Sequence, residues 1–181
     1  MKLFIKNMVS ARCKMLVQSE LEKHNIPYNV IELGEVDIVE KLTSEKQASL
    51  KAALNAAGLD ILSDKKLMLV EKIKTVIIKM IHYAEELPDE NYSFYLSNQL
   101  NHNYTYLANV FSDVQGITIE RFIISHKIEK VKELIGYDEL SLTEIAGMMH
   151  YSSVGHLSNQ FKKVTGVSPS AYKNKSNRRK K

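Results

Sequence analysis

The chain has 181 residues, 44% of them hydrophobic, enough for one large core or two small ones. No uncharged apolar run approaches the length of a membrane span, and Lys2 and Lys6 interrupt the one stretch that could pass for a signal-peptide core, so the sequence predicts a soluble, cytoplasmic protein. A single cysteine excludes internal disulfides and four-cysteine zinc sites, and the positive excess is confined to residues 91–181 (twelve Lys/Arg against seven Asp/Glu), which points to a polyanion partner for that half.

Residues 1–64 are nearly balanced in charge and read as βαββαβ. A strand over 2–7 precedes a helix whose apolar residues Cys13, Leu16, Val17 and Leu21 share one face, and Pro27 is expected to end it. Strands over 28–33 and 36–39 flank a turn at Gly34 and Glu35. A second helix is expected from Ser44, with Gln47 completing a capping box, a face of Leu50, Ala53, Leu54 and Ala57, and Gly58 as its stop. A last strand covers 59–62. One sheet with two helices on one face is the economical packing of this order.

Residues 65–90 read as a linker helix. Val70, Ile73, Ile77, Met80, Ala84 and Leu87 alternate steps of three and four, as in a coiled-coil seam. Such a seam serves either packing on the chain's own domain or homodimerisation. The run Pro88-Asp89-Glu90-Asn91 marks a domain boundary.

From residue 91 the pattern is helical, and it repeats. FSDVQGITIERF at 111–122 and FKKVTGVSPSAY at 161–172 carry the same phrase fifty residues apart. Leu107 matches Leu157 and Asn109 matches Asn159, whereas upstream the offset becomes forty-nine, Leu96 matching Ile145 and Leu100 matching Met149. A one-residue insertion in the turn between the two helices of a unit accounts for the change. Each unit is helix, short turn, helix, then Gly and the start of another helix, with Ser141 and Glu144 capping one start and Ser168-Pro169 another. A helix over about 118–135, roughly 27 Å long, joins the units.

In a helix-turn-helix, the second helix buries one face on the first and offers the other to a groove. Leu107 with Phe111, and Leu157 with Phe161, supply the buried faces. The outward residues are then Tyr104, Thr105, Ala108, Asn109 and Ser112 in the first unit, and Val154, Gly155, Ser158, Asn159 and Lys162 in the second. Asn103, Tyr104, Ser112, Ser153, Lys162 and Lys163 are the candidate phosphate contacts, and the helix starts near Asn103 and Ser152-Ser153 present backbone N–H groups.

Residues 92–173 resemble the DNA-binding domain of AraC-type transcription regulators, through LSNQLNHNYTYLANVF, GITIERFIISHKIEKVKELI and LSLTEIAGMMHYSSVGHLSNQFKKVTGVSPSAY. The resemblance implies sequence-specific binding to double-stranded DNA through both units, and control of transcription initiation with RNA polymerase as a partner. It places base-facing positions at Thr105, Ala108 and Asn109, and at Val154, Gly155, Ser158 and Asn159. Where the family often has Arg, both units carry Asn, whose amide suits a bidentate contact with adenine, and an A/T-rich site is expected.

The stretch NMVSARC at 7–13 is similar to the metal loop of heavy-metal-associated domains, which have a ferredoxin-like fold and the pattern Met-x-Cys-x-x-Cys. The first cysteine is replaced by Ser10, a hard and poor ligand, so the two-thiolate chelate is broken. Ser10 reads as a helix cap. No cofactor is expected, and Cys13 with Met8 is the residual candidate for one soft metal ion or for thiol sensing. His150 and His156 suit structure or DNA contact better than zinc, and His24, His82, His102 and His126 stand as isolated surface groups. No Ser–His–acid set, phosphate loop or paired catalytic carboxylates stands out, and a fused DNA-repair alkyltransferase would need a zinc-bound thiolate cluster, so the chain reads as non-enzymatic.

The expected architecture is α+β: a ferredoxin-like sensor domain at 1–64, a linker helix at 65–90, an all-α domain with two helix-turn-helix units at 91–174, and a basic tail at 175–181. The alternative to a DNA-binding regulator is a metal- or thiol-responsive sensor or carrier.

Overall fold

A computed structural model describes residues 1–179, with side chains through Ser176; Lys180, Lys181 and the side chains of 177–179, which belong to the expected basic tail, lie outside the described residues. The chain forms two compact units, the first made of Met1–Val76 and Leu96–Gly116, the second of Ile77–Tyr95 and the residues from Ile117 onward.

The first unit opens with βαββαβ: β1 (Lys2–Lys6), α1 (Ala11–Lys23), β2 (Tyr28–Glu32), β3 (Glu35–Ile38), α2 (Ser44–Ala56) and β4 (Asp60–Leu62). The sheet is antiparallel in the order β2-β3-β1-β4, the ferredoxin-like arrangement, with Leu3 opposite Val36 and Ile5 opposite Ile61. Leu3 and Ile5 point to one face and join Val17, Leu21, Leu50 and Leu54 in the core. Phe4, on the alternate side of the pleat, faces the other way.

Several boundaries depart from the sequence reading, each for a local reason. β1 stops at Lys6 because Asn7 turns left-handed, at φ 66°. The hairpin turn is Leu33-Gly34, with Gly34 at φ 81°, so β3 begins one residue early at Glu35. Helix α1 ends at Lys23, with Asn25 left-handed at φ 51°, before Pro27 is reached. The cap of α2 is Thr43, whose hydroxyl accepts from Lys46 N–H at 3.3 Å, not Ser44. The buried face of α2 narrows to Leu50 and Leu54, since Ala57 is exposed.

Helix α3 (Lys65–Ile78) starts from Asp64, whose carboxylate accepts from Lys66 and Leu67 N–H, and it covers the sheet's second face. The Lys72 ammonium sits 4.6 Å from the centre of the Phe4 ring, and Asn7 N–H donates to Glu71 at 3.4 Å. Thr75 lies so close to Gly34 that a Cβ there would fall 2.7 Å from its hydroxyl oxygen. The sheet is therefore covered on both faces, not on one as expected. Glu71 is buried at 6% exposure and is held by Lys74 at 2.8 Å.

A π-helical turn (Lys79–Tyr83) follows α3 directly. It shifts the helical phase and breaks the predicted seam. Val70, Ile73, Ile77, Met80 and Leu87 are buried within the single chain, while Ala84 is exposed. Five of the six seam residues thus pack within the chain.

The remaining helices are α4 (Tyr92–Leu100), α5 (Tyr104–Gln115), α6 (Ile119–Tyr137), α7 (Leu142–Met148), α8 (Val154–Thr165) and α9 (Pro169–Arg179). Helix α6 runs two residues beyond the expected end and stops at left-handed Asp138, φ 60°. Its 19 residues span about 28 Å. The fold class is α+β, with the sheet confined to residues 2–62 and helices after it among the described residues.

Candidate nucleic-acid interface

Helices α5 and α8 are the second helices of the two repeats, and both are twelve residues long with starts fifty apart. Their ends use the same chemistry. At the N-termini, the Asn103 side-chain oxygen accepts from Thr105 N–H at 2.8 Å, and Ser153 Oγ accepts from His156 N–H at 3.0 Å. At the C-termini, Gly116 (φ 70°) and Gly166 (φ 82°) take the left-handed conformation that glycine adopts without a Cβ penalty, and donate to the carbonyls of Ser112 and Lys162. The next helices are capped by Thr118 and Ser168, again fifty apart.

The turns preceding α5 and α8 differ. Each contains one left-handed residue, Asn101 (φ 58°) and His150 (φ 54°), forty-nine apart. One residue separates Asn101 from the cap Asn103, whereas Tyr151 and Ser152 separate His150 from the cap Ser153. The inserted residue expected from the change of offset sits at this point of the second turn. The predicted capping box of α7 is present, with Ser141 Oγ accepting from Glu144 N–H and Glu144 accepting from Ser141 N–H.

The buried faces are those expected. Leu107, Phe111, Leu157 and Phe161 are all fully buried. Thr105, Asn109, Gly155 and Asn159 are exposed, while Ala108, Val154 and Ser158 are half-buried. Among the candidate phosphate contacts, Asn103, Ser153, Lys162 and Lys163 are exposed and Tyr104 and Ser112 half-buried. Capping engages the side-chain oxygens of Asn103 and Ser153, which leaves an amide nitrogen and a hydroxyl proton as their donors. A Cβ built on Gly155 would meet only Ser153 Oγ, at 3.7 Å, so internal packing does not require glycine there.

The two repeats differ in charge. Residues 92–115 contain no Lys or Arg and one Asp, whereas α8 carries Lys162 and Lys163 in its last turn. Aromatic groups the sequence analysis did not single out occupy the first repeat: Tyr106 is 48% exposed with the His102 ring 5.5 Å away, and Phe94 is 57% exposed. The four-residue spacing of His102 and Tyr106 was a usable signal.

The second unit contains a buried polar cluster that sequence reasoning also missed. The ammonium of Lys127, in the middle of α6, lies 4.2 Å from the centre of the Tyr151 ring and 5.8 Å from that of Tyr92. Burial pulls the Lys127 pKa down to about 8 and, with Tyr92, pushes that of Tyr151 up to about 12. Tyr151 Oη donates to Gln160 Oε1 at 2.7 Å, and its ring meets His156 edge-on at 5.2 Å. His156 Nδ1 lies 3.0 Å from Ser152 Oγ, so this histidine belongs to the turn.

Two of the histidines expected to be isolated are paired. His82 Nε2 lies 3.0 Å from His126 Nδ1, because the π-helical turn packs on α6. His24, also expected alone, bridges α1 and α2, its ring nitrogens 3.0 Å from the Glu20 carbonyl and 2.9 Å from Ser49 Oγ. Among the described residues, no three His, Cys, Asp or Glu side chains converge as metal ligands.

The loop before α1 does not fit a soft metal ion. Ser10 caps the helix, accepting from Cys13 N–H at 3.4 Å, and its hydroxyl lies 3.2 Å from the Cys13 sulfur. Met8 is buried in the core cluster and Cys13 packs against it. Burial pushes the thiol pKa up, but hydrogen bonding by Ser10 and nearby backbone N–H groups outweighs it and holds the value below the ordinary one.

Residues 96–175 match the family model described as a helix-turn-helix domain. The chain is 24% identical over 103 residues to an uncharacterized HTH-type transcriptional regulator, YtdP, of Bacillus subtilis (strain 168), a match that covers 57% of this chain and 13% of that protein's length. Among solved structures, the C-terminal domain of AraT, a response regulator from Geobacillus stearothermophilus, is similar at 27% identity and a TM-score of 0.50, covering 59% of this chain and 84% of that one. A DNA-binding transcriptional dual regulator from Escherichia coli K-12 shares the fold at 16% identity and a TM-score of 0.52, covering 61% of this chain and 93% of that one. No described helix is long and apolar enough to cross a membrane.

Proposed function

We propose, from a helix-turn-helix domain of the AraC type over residues 96–175, that this chain is a sequence-specific transcription regulator that reads two successive major-groove segments of one duplex with α5 and α8. The observation that carries this reading is the twin design of those helices: equal length, matching caps, matching glycine stops and matching buried pairs, fifty residues apart. A fold that needed only one docking helix would have no reason to keep all four features in duplicate.

Base readout falls to Thr105, Ala108 and Asn109 on α5, and to Val154, Gly155, Ser158 and Asn159 on α8. The amides of Asn109 and Asn159 offer one donor and one acceptor each, the complement of adenine N7 and N6 in the major groove. Lys162 and Lys163 neutralise phosphates beside α8, while Asn103, Tyr104, Ser112 and Ser153 contribute uncharged donors. Gly155 lets the α8 backbone approach the duplex closely, since nothing inside the protein needs a glycine at that point. Residues 92–115 have no cation, so the docking of α5 rests on hydrogen bonds and shape, and α8 carries more of the salt-dependent affinity.

Selection of binding sites from random duplexes by the full chain tests the assignment. The expected sites contain adenines about one helical turn apart, the spacing of adjacent major-groove faces. Selection of G-rich half-sites, or of none, would refute it. At a promoter, such binding would act on transcription initiation through RNA polymerase, and in vitro transcription from a selected site is the corresponding measurement.

A further inference from the structure

We infer that Lys127 is a positioning residue for the reading helix α8, acting through the aromatic face of Tyr151. This rests on the proposed DNA-binding role. Lys127 is only 7% exposed, and its described partners are two ring faces rather than a carboxylate. A lone ammonium in such a place is costly to desolvate unless the site compensates it, and an apolar side chain of similar length would fill the same volume without that cost. A lysine there has a use beyond packing only if its charge holds something in place.

What it faces is Tyr151, at 4.2 Å, well within the range of a cation–π contact. Tyr151 is one of the two residues between left-handed His150 and the cap of α8. From that point it reaches α8 twice, by its hydroxyl to Gln160 and by its ring to His156, which in turn meets Ser152. The path from the middle of α6 to the start of α8 is therefore Lys127, Tyr151, then Gln160 and His156, all within the second unit. The first repeat has one residue fewer in its turn. The inserted position is thus where the second repeat gains its extra hold.

The charge of Lys127 can be removed by titration as well as by mutation. The groups that face it are Tyr92 from α4 and Tyr151 from the turn, both with pKa raised by burial and both neutral through pH 9. His156 faces Tyr151 from α8.

The test compares the wild type, K127M and K127R by thermal melting and by fluorescence anisotropy on a duplex selected by the wild-type chain, at pH 7 and pH 9. The tyrosine and histidine ring resonances of the wild type and K127M are compared by NMR. The expected result is that K127M melts no lower than the wild type yet binds the duplex about tenfold more weakly, the size of a desolvated cation–π contact. Wild-type affinity falls from pH 7 to pH 9, whereas K127R, charged throughout, shows no such fall. The Tyr151 and His156 resonances shift in K127M. The inference is overturned if K127M binds as tightly as the wild type with unmoved resonances, or if K127R loses affinity at pH 9 as the wild type does. A wild type that selects no duplex would sink the DNA-binding reading instead, and the resonances would then still decide the positioning role.

Discussion

Asn109 and Asn159 occupy equivalent exposed positions on α5 and α8, two residues from each member of the buried pairs that anchor each helix and so on the opposite face. If each makes a bidentate contact with adenine, alanine at either position costs about 1–3 kcal/mol of discrimination at one base pair and leaves the fold intact. Binding of each variant to single-base site variants checks this, and a uniform loss across all sites would mark a phosphate contact instead. Gly155 gives a second test. Alanine there should leave stability unchanged or raise it by less than the ~1 kcal/mol of a helix interior, since Gly155 lies in the first turn of α8, and weaken duplex binding because a methyl group enters the interface. At His150, a β-carbon is carried at φ 54°. His150→Gly should stabilise the chain by about 1 kcal/mol, measured by denaturant unfolding, since the left-handed conformation burdens every residue but glycine.

At the scale of elements, α3 shows what an apolar pattern leaves undecided. Steps of three and four serve an external seam and an internal face equally well. Val70, Ile73, Ile77 and Met80 are buried within the chain, which supports the internal use. Ile73→Ala should therefore cost about 2–5 kcal/mol in unfolding free energy with no change in oligomeric state by sedimentation. Helix caps were legible at Ser10, Ser141 and Ser168 because a cap is a local matter, decided by a side chain and an amide two or three residues away. Thr43 displaced the expected Ser44 since adjacent hydroxyl residues offer the same cap, and only backbone geometry chooses. The outward residues of α5 and α8 were legible from Leu107, Phe111, Leu157 and Phe161, which fix the helix phase. The His82–His126 pair and the Lys127 site were not, because their partners lie forty-four and twenty-four residues away and no local spacing announces them.

Helix α6 also carries a titration prediction. The folded pKa of Lys127, about 8, lies below its ordinary 10.5, so between these values the unfolded chain binds more protons than the folded one. Stability should consequently rise with pH through that window, whereas the contribution is absent in K127R, and melting of the two proteins from pH 7 to pH 10 compares them. The sign is opposite to that expected for duplex affinity, which separates holding the fold together from aiming the reading helix.

For the molecule as a whole, the positive excess lies in residues 91–181, but it is not shared between the repeats: residues 92–115 have no cation, and α8 has two. Each phosphate neutralised steepens the salt dependence by nearly one unit of slope, so K162A/K163A should flatten it by about two. No comparable charge can be removed from α5, where Asn109→Ala should change affinity and leave the slope alone. In the proposed function both repeats engage one duplex in adjacent major-groove faces. Hydroxyl-radical and methylation footprinting of the full chain on a selected site is the corresponding measurement. Two protected major-groove segments about 10 base pairs apart are expected, one lost in Asn109→Ala and the other weakened in Asn159→Ala. Protection of a single turn that Asn109→Ala leaves unchanged would contradict it.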